Sequence, residues 1–301
     1  MPDCRISFII PCCNESGNIH KISAQIRSVF SDEEIQLIFI DDGSQDSTLE
    51  EITALSKEDT SVHYVSFSRN FGKEAAMLAG LEKAEGKYTV LIDADLQQDP
   101  SAVKQMVSIL DDNDDIDCVC AVPSRRKESL LMSFLKSSFY RIISHISDID
   151  LKENASDFRC FRNNVRTALL SAEAHSRFTK GLFAWAGFRT EYIEYEVRER
   201  ESGTSKWPLI KLLKYALSGI TSFSSFFLIL PLYLGIFTIV LTFLLMLLKL
   251  PSFSLKAALL LFMAGLFLIC LGIIGAYMNN IAKETRKRPL YIVKENSDEA
   301  Y

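Results

Sequence analysis

Two long segments without a charged side chain constrain this 301-residue chain more than any other feature. They cover residues 226–248 and 257–278, which are 23 and 22 residues long. At a rise of 1.5 Å per residue, a helix of about 20 residues crosses a hydrocarbon core of roughly 30 Å. A soluble core rarely contains two such helices in succession. The sequence therefore predicts two transmembrane helices near the carboxyl end of the chain.

Charged residues are distributed unevenly around these segments. Residues 203–301 contain ten Lys and Arg against four Asp and Glu, whereas the rest of the chain is acidic. Only two lysines lie in the connector between the segments, so the positive-inside rule places both termini in the cytoplasm. A basic membrane part indicates contact with anionic lipid rather than nucleic acid. We expect no cleaved signal peptide, and the seven cysteines, which lack C-x-x-C spacing, indicate reduced cytosolic thiols.

The first 122 residues alternate short β-rich runs with helical stretches. Strands are predicted at 5–10, 35–40, 62–67, 88–92 and 116–122, with helices at about 17–30, 46–58, 72–85 and 100–111. This alternation predicts a parallel α/β sheet that binds its ligand at the carboxyl ends of the strands. No strand is followed by G-x-G-x-x-G, so the dinucleotide fingerprint is missing. Helical spacing of apolar residues at 128–147 and 207–217 predicts either core helices or helices lying in the membrane interface.

Two carboxylates, Asp93 and Asp95, end the fourth predicted strand. Side chains two apart on a strand point the same way, and two like charges held together favour a bound cation. Oxygen ligands suit Mg²⁺ or Mn²⁺, which usually arrives with a substrate pyrophosphate. A bare D-x-D is more often a solvated turn, so its surroundings decide its meaning.

Seven motifs supply those surroundings. They are IIPCCNESGN, IDDGSQDST, FSRNFGKEAAMLAGLEKAEG, LIDADLQQDP, SDFRCF, RFTKGLFAWAGF and RESGTSKW. In content and order they resemble family 2 glycosyltransferases of the polyprenyl-phosphate branch, from about residue 4 to 293. The chain is similar to bacterial bactoprenol glucosyltransferases and, more distantly, to dolichol-phosphate mannose synthases.

The resemblance implies a GT-A-type, Rossmann-like α/β fold followed by interfacial amphipathic helices and two transmembrane helices. Residues 1–125 would bind the nucleotide-sugar and residues 126–218 would form the acceptor side. The membrane part would cover 219–281, and 282–301 would be a cytoplasmic tail, disordered over its last seven residues.

The resemblance also assigns candidate site residues. Asp93 and Asp95 would hold Mg²⁺ or Mn²⁺, with Gln97 nearby and Asp95 also taking part in catalysis. The residues expected to bind the nucleotide-sugar are Pro11, Cys13, Glu15, Ile40, Asp42, Ala94, Gln97, Arg125 and Arg126. Cys13 replaces the aromatic residue common in the family, which weakens inference of the base, and Arg125 or Arg126 stands in for an arginine expected directly after the strand.

On the acceptor side, Asp157 matches the residue considered a catalytic base in relatives. Because a lipid phosphate is already ionised, Asp157 could instead orient Arg159 or the sugar. Arg159, Arg200 and Lys206 are the candidate phosphate-binding residues. For Lys206 alone, an ordinary positive-inside lysine is the better explanation.

The expected activity is transfer of one hexose, with glucose from UDP-glucose favoured, to undecaprenyl phosphate for modification of a cell-envelope glycan. The enzyme would lie in the bacterial inner membrane with its catalytic part in the cytoplasm. A separate flippase, a downstream glycosyltransferase and a tetrameric homo-oligomer are expected partners, whereas nucleic acid is not. A processive polysaccharide synthase is the main alternative, but Q-x-x-R-W and additional spans are missing. A non-catalytic membrane scaffold is the other.

Overall fold

The structure, a computed structural model, describes residues 4–31, 34–124, 155–172, 179–196, 237, 253–285 and 289–297. The two amphipathic segments predicted at 128–147 and 207–217 lie outside those residues. So does the first predicted span, 226–248, apart from Phe237, which is helical.

Strands and helices alternate along the amino-terminal half, as the sequence predicts. The strands of the described residues are β1 (Ile6–Cys12), β2 (Ile35–Asp41), β3 (Val62–Phe67), β4 (Tyr88–Leu91), β5 (Cys118–Pro123), β6 (Arg159–Arg162), β7 (Thr190–Tyr195) and β8 (Val293–Asn296). Their helices are α1 (Ile19–Val29), α2 (Thr48–Glu58), α3 (Lys73–Lys83), α4 (Ser101–Asp112), α5 (Asn163–Ser171), α6 (Thr179–Ala186) and α7 (Phe253–Thr285). The five strands and four helices predicted within residues 5–122 are all present, and no end is shifted by more than two residues.

The strands form one sheet with the order β7-β5-β6-β4-β1-β2-β3-β8 in the described part of the chain. β1 pairs in parallel with β2 and β4, β2 with β3, and β5 with β7. β6 and β8 are antiparallel to their neighbours, so the expected parallel sheet is in fact mixed. The reason is that the chain returns from the opposite direction when it inserts β6 between β4 and β5.

Both faces of the central strands are buried, which explains their nearly continuous apolar sequences. In β1, Phe8 and Ile10 face one core, formed with α1, α2 and α4. Ile9 faces the other core, formed with α3, α5 and α6. The period-two alternation of a strand thus divides one apolar run between two cores.

The predicted acceptor-side segment, residues 126–218, contributes β6 and β7 to this same sheet. Its described residues therefore extend the sheet that residues 1–125 form. The side chain of Phe161 on β6 packs against Phe183 of α6, with ring centroids 5.2 Å apart. Burial of these aromatic rings packs α6 against the sheet.

The last described strand corrects the expected disordered end at 295–301 over residues 295–297. Glu295 and Asn296 belong to β8, which pairs with β3 at the edge of the sheet. Just before it, the ring of Tyr291 stacks on Phe67 with centroids 4.6 Å apart. An exposed sheet edge offers unpaired backbone groups, and β8 satisfies those of β3.

The second predicted span overlaps α7, a helix of 33 residues. Large apolar side chains on α7, including Leu260 and Phe267, are exposed in the single chain. Among the helices that could be searched in the described residues, none meets the length and hydropathy required to cross a membrane.

Candidate functional site

The candidate site lies where β1, β2, β3 and β4 end. The turns after these strands are linked directly, because the Asp42 backbone N–H donates to the Cys12 carbonyl at 2.9 Å. The Asn14 backbone N–H donates to Ser44 Oγ at 3.0 Å, and the Gln45 N–H donates to Asn14 Oδ1 at 2.8 Å. The β1 and β2 turns therefore form one rigid edge.

Asp42 supports the loop that leads from β3 to α3. Its carboxylate accepts backbone N–H bonds from Phe71 at 2.6 Å and from Gly72 at 2.9 Å. Burial raises the pKa of Asp42, and these two donors only partly oppose that effect. Asp42 is 4% exposed. In the structure this carboxylate binds the loop backbone. The resemblance implies a contact with the nucleotide-sugar instead.

Close approach of the β2 turn to the same loop requires a glycine at position 43. Gly43 has φ +65°, and a Cβ built there would lie 2.4 Å from the carbonyl carbon of Arg69. No larger side chain fits unless the backbone moves. Gly43 and Asp42 together fix the path of residues 69–73.

The first metal-ligand candidate, Asp93, is held on both carboxylate oxygens. Gln98 Nε2 donates to Asp93 Oδ2 at 3.1 Å, and the Asp93 N–H donates to Gln98 Oε1 at 2.9 Å. Lys73 Nζ lies 2.6 Å from Asp93 Oδ1. Gln98, which has no role in the sequence-based assignment, therefore supports Asp93. The second candidate, Asp95, accepts the backbone N–H of Gln97 at 3.2 Å.

Lys73 also joins Asp93 to Asp157. Its Nζ lies 3.0 Å from Asp157 Oδ2, so one ammonium group bridges the two carboxylates. The carboxyl ends of β4 and the segment before β6 meet here because those strands are neighbours. Lys73 has no role in the sequence-based assignment, although it lies in the motif after β3. Its signal is weak, since a lysine beyond a strand end is usually solvated.

The charges around Asp157 determine its protonation. Burial alone would raise its pKa, but the positive charges of Lys73, Lys180 and Arg159 outweigh that effect and hold the pKa well below its usual range. Burial would similarly lower the pKa of Lys73, and the two carboxylates raise it well above its usual value. Asp157 is therefore ionised and Lys73 is protonated at neutral pH. A carboxylate stabilised so strongly in its ionised form is a weak base.

Arg159, predicted to bind phosphate, points into the core. It is 4% exposed, its guanidinium lies 4.0 Å from the ring centroid of Phe183, and Nη2 donates to the Ser156 carbonyl at 2.7 Å. In the structure Arg159 supports the segment that carries Asp157, whereas the sequence predicted a contact with a phosphate. Alternation on β6 explains the difference, because Arg159 and Phe161 face the same side.

The nucleotide-binding candidates separate into two groups. Pro11, Cys13 and Glu15 are partly exposed at the end of β1. Ile40 and Ala94 are 0% and 2% exposed, so their side chains belong to the core and only their backbone could face a ligand. The nucleotide-binding candidates Arg125 and Arg126 lie outside the described residues, as do the phosphate-binding candidates Arg200 and Lys206.

The donor set at this edge fits a hard divalent cation. In the described part of the chain, no group of three or more His, Cys, Asp and Glu side chains comes together as a complete metal site. Mg²⁺ is commonly bound through one or two carboxylates plus substrate phosphates, so Asp93 and Asp95 suit an ion that arrives with a pyrophosphate.

The adjacent glutamines give a matched test of this arrangement. We expect Gln98→Ala to weaken the affinity for Mn²⁺ with UDP by about tenfold or more, because supporting partners of metal ligands typically contribute that much. Gln97→Ala should have little effect, since the hydrogen bond from Gln97 to Asp95 comes from its backbone N–H, which alanine keeps. Titration calorimetry would compare the two variants, and equal affinities would contradict the assigned role of Gln98.

Comparison with known proteins agrees with this geometry. The family model for glycosyl transferase family 2 matches residues 7–169, more than half of the chain. The CsbB protein of Bacillus subtilis (strain 168) is 37% identical over 302 residues, covering 96% of this chain and 91% of that relative. The bactoprenol glucosyl transferase of Shigella phage SfV is 33% identical over 303 residues, covering 96% and 98%.

A solved structure shows the same fold. Glucosyl-3-phosphoglycerate synthase from Mycobacterium tuberculosis, crystallised with Mn²⁺, UDP-glucose and phosphoglyceric acid, aligns with a TM-score of 0.51 at 21% identity. The alignment covers 72% of this chain and 77% of that one. It confirms the expected GT-A-type α/β fold. From the family match and the near full-length relatives together, the chain is a glycosyltransferase and belongs to glycosyl transferase family 2.

Proposed function

We propose that this enzyme transfers a single hexose from a nucleotide-sugar to undecaprenyl phosphate at the cytoplasmic face of a bacterial membrane. The observation that carries the proposal is the bridge from Asp93 through Lys73 to Asp157, which brings a metal-ligand candidate and an acceptor-side carboxylate to one site. Similarity to the bactoprenol glucosyl transferase over 96% of the chain supports the choice of acceptor.

Donor binding would use the edge formed by the β1, β2 and β4 turns. Asp93 and Asp95 would hold Mg²⁺ or Mn²⁺, which supplies positive charge to the departing nucleoside diphosphate. The mycobacterial neighbour crystallised with Mn²⁺ and UDP-glucose is consistent with this cofactor. UDP-glucose is the donor that we favour.

The acceptor phosphate is already ionised at neutral pH, so it needs orientation and charge neutralisation more than deprotonation. One of its oxygens forms a bond to the sugar C1 as the bond from C1 to the nucleoside diphosphate breaks. Asp157, a weak base fixed by Lys73, would orient the sugar or the cationic groups nearby instead of removing a proton. This assignment retains Asp157 in the site and changes its role.

A membrane location fits both the sequence and the surface of α7. The segments 226–248 and 257–278 contain no charge, and exposed apolar residues of α7 would contact lipid or the neighbouring segment. The charge asymmetry supports a cytoplasmic position for both termini. A reporter active only in the cytoplasm tests this orientation: signal is expected after Tyr301, and signal only from an insertion at Ser252 would contradict it.

Two other functions make different predictions for the product. A processive synthase would extend a sugar chain, and a non-catalytic scaffold would transfer no sugar. The two predicted spans and their short connector would be too few to enclose a channel for a polymer, and the sequence retains the acidic and basic residues of the site. Single transfer is therefore favoured.

The donor can be identified with membranes that contain the enzyme. They would be incubated with labelled UDP-glucose, UDP-galactose, UDP-N-acetylglucosamine or GDP-mannose. The masses of the extracted lipids would then be determined by mass spectrometry. We expect undecaprenyl phosphate bearing one hexose, with UDP-glucose as the best donor. The proposal is rejected if lipid stays unmodified with every donor while the enzyme is folded.

A further inference from the structure

We propose that Lys73 is an internal counter-ion for Asp93, which a divalent cation displaces when it binds with its nucleotide. The proposal rests on the metal site of the proposed function and deepens it. In the metal-free state the ammonium group of Lys73 neutralises the metal ligand. Lys73 thereby controls the affinity of the site for the metal.

The two oxygens of Asp93 are held in different ways. Gln98 donates a hydrogen bond to Oδ2 and accepts one from the Asp93 N–H, so two hydrogen bonds fix the Gln98 side chain. Gln98 is also 6% exposed. Lys73 binds Oδ1 through one ammonium group and its side chain is 34% exposed. A cation that binds Asp93 therefore displaces Lys73 more easily than Gln98.

Lys73 has a second partner that can retain it after displacement. Its distance to Asp157 Oδ2 is 3.0 Å, against 2.6 Å to Asp93 Oδ1. A small rotation of its flexible four-carbon stem would leave the Asp157 contact in place and free Asp93. The two carboxylates thus have different roles. Asp93 binds either Lys73 or the metal, whereas Asp157 keeps its contact with Lys73 in both states.

The position of Lys73 on its helix supports a specific role. It is the first residue of α3, where the helix dipole favours negative rather than positive side chains. The backbone N–H of the preceding Gly72 donates to Asp42, and this hydrogen bond fixes the position at which α3, and with it Lys73, begins. Asp93 and Asp157 are the groups that offset it.

One substitution of Lys73 that removes its charge and one that keeps it give a test that is independent of sugar transfer. Titration calorimetry would measure binding of Mn²⁺ with UDP to the full chain, and melting would be followed without metal. Lys73→Gln removes the competing charge and keeps a hydrogen-bond donor. We expect it to bind Mn²⁺ with UDP roughly tenfold more tightly, or about 1.4 kcal/mol, and to melt at a lower temperature without metal.

Lys73→Arg keeps the charge and can bridge both carboxylates, so its affinity should equal or fall below that of the wild type. Lys87→Met is the matched control, because Lys87 pairs with Asp111 outside the site at 3.1 Å. It should leave Mn²⁺ affinity unchanged.

Equal or weaker affinity in Lys73→Gln would overturn the proposal and indicate that Lys73 supports the bound state. Absence of Mn²⁺ binding in both the wild type and Lys73→Gln would overturn it as well. If instead Lys73→Gln binds more tightly while no lipid is glycosylated, the counter-ion role stands and the proposed acceptor fails.

Discussion

The substitution Asp93→Asn is expected to reduce sugar transfer by roughly 10²–10³-fold, the range observed when a charge-stabilising group is removed from an active site. The substitution removes one negative metal ligand and leaves Lys73 paired only with Asp157. Asp93 lies at the end of β4 and its side chain is 31% exposed, so we expect the core to be unchanged. Initial rates at saturating Mn²⁺, with melting temperatures, would measure both effects.

Asp111→Asn is the control for loss of an ion-paired carboxylate. Asp111 contacts Arg5 at 2.7 Å and Lys87 at 3.1 Å, away from the site. It should show a comparable change in melting temperature with nearly normal transfer. Retention of more than a tenth of wild-type activity by Asp93→Asn, or full activity of the wild type in EDTA, would refute the metal assignment.

The second large effect concerns stability at Gly43. Alanine there must adopt a left-handed conformation, which costs about 1–2 kcal/mol, and its Cβ must displace the backbone of Arg69. Overpacking typically adds roughly 1–3 kcal/mol. We therefore expect the free energy of unfolding to fall by about 2–5 kcal/mol, as measured by denaturant titration, with loss of activity because the loop also presents Lys73.

Gly17 offers a matched comparison. Its φ is +80°, but a Cβ built there has nothing within 4 Å. Gly17→Ala should therefore show only the backbone cost of about 1–2 kcal/mol. If the two alanine variants lose equal stability, the close approach between Gly43 and Arg69 contributes nothing and our account of this loop is wrong.

The regular part of the fold was predictable because its signals are local. Each central strand is an apolar run buried on two faces, and each helix between them carries apolar residues at helical spacing. The antiparallel strands β6 and β8 were not predictable in the same way. Their short sequences, RCFR and VKEN, contain charged residues, and their places depend on pairing with distant strands.

The candidate site was predicted less completely than the fold. Asp93, Asp95 and Asp157 are marked by motifs at strand ends. Lys73 and Gln98 have no comparable signal, since their roles appear only when β4, α3 and the segment before β6 meet in space. The resemblance places Gln97 near the metal, whereas the side chain that contacts Asp93 is that of the adjacent Gln98.

Asp42 and Arg159 illustrate a second limit. A motif indicates that a polar residue matters but does not show which group it contacts. Asp42 binds the backbone of Phe71 and Gly72, and Arg159 stacks on Phe183. Both support the site from within the protein, which only the burial of their side chains reveals.

The central claim is most directly tested by the product that the purified enzyme makes from UDP-glucose, Mn²⁺ and undecaprenyl phosphate. Mass spectrometry should detect undecaprenyl phosphate increased by the mass of one hexose, and undecaprenol without phosphate should remain unmodified. A ladder of longer products, or sugar transferred to undecaprenol equally well, would contradict single transfer to a lipid phosphate.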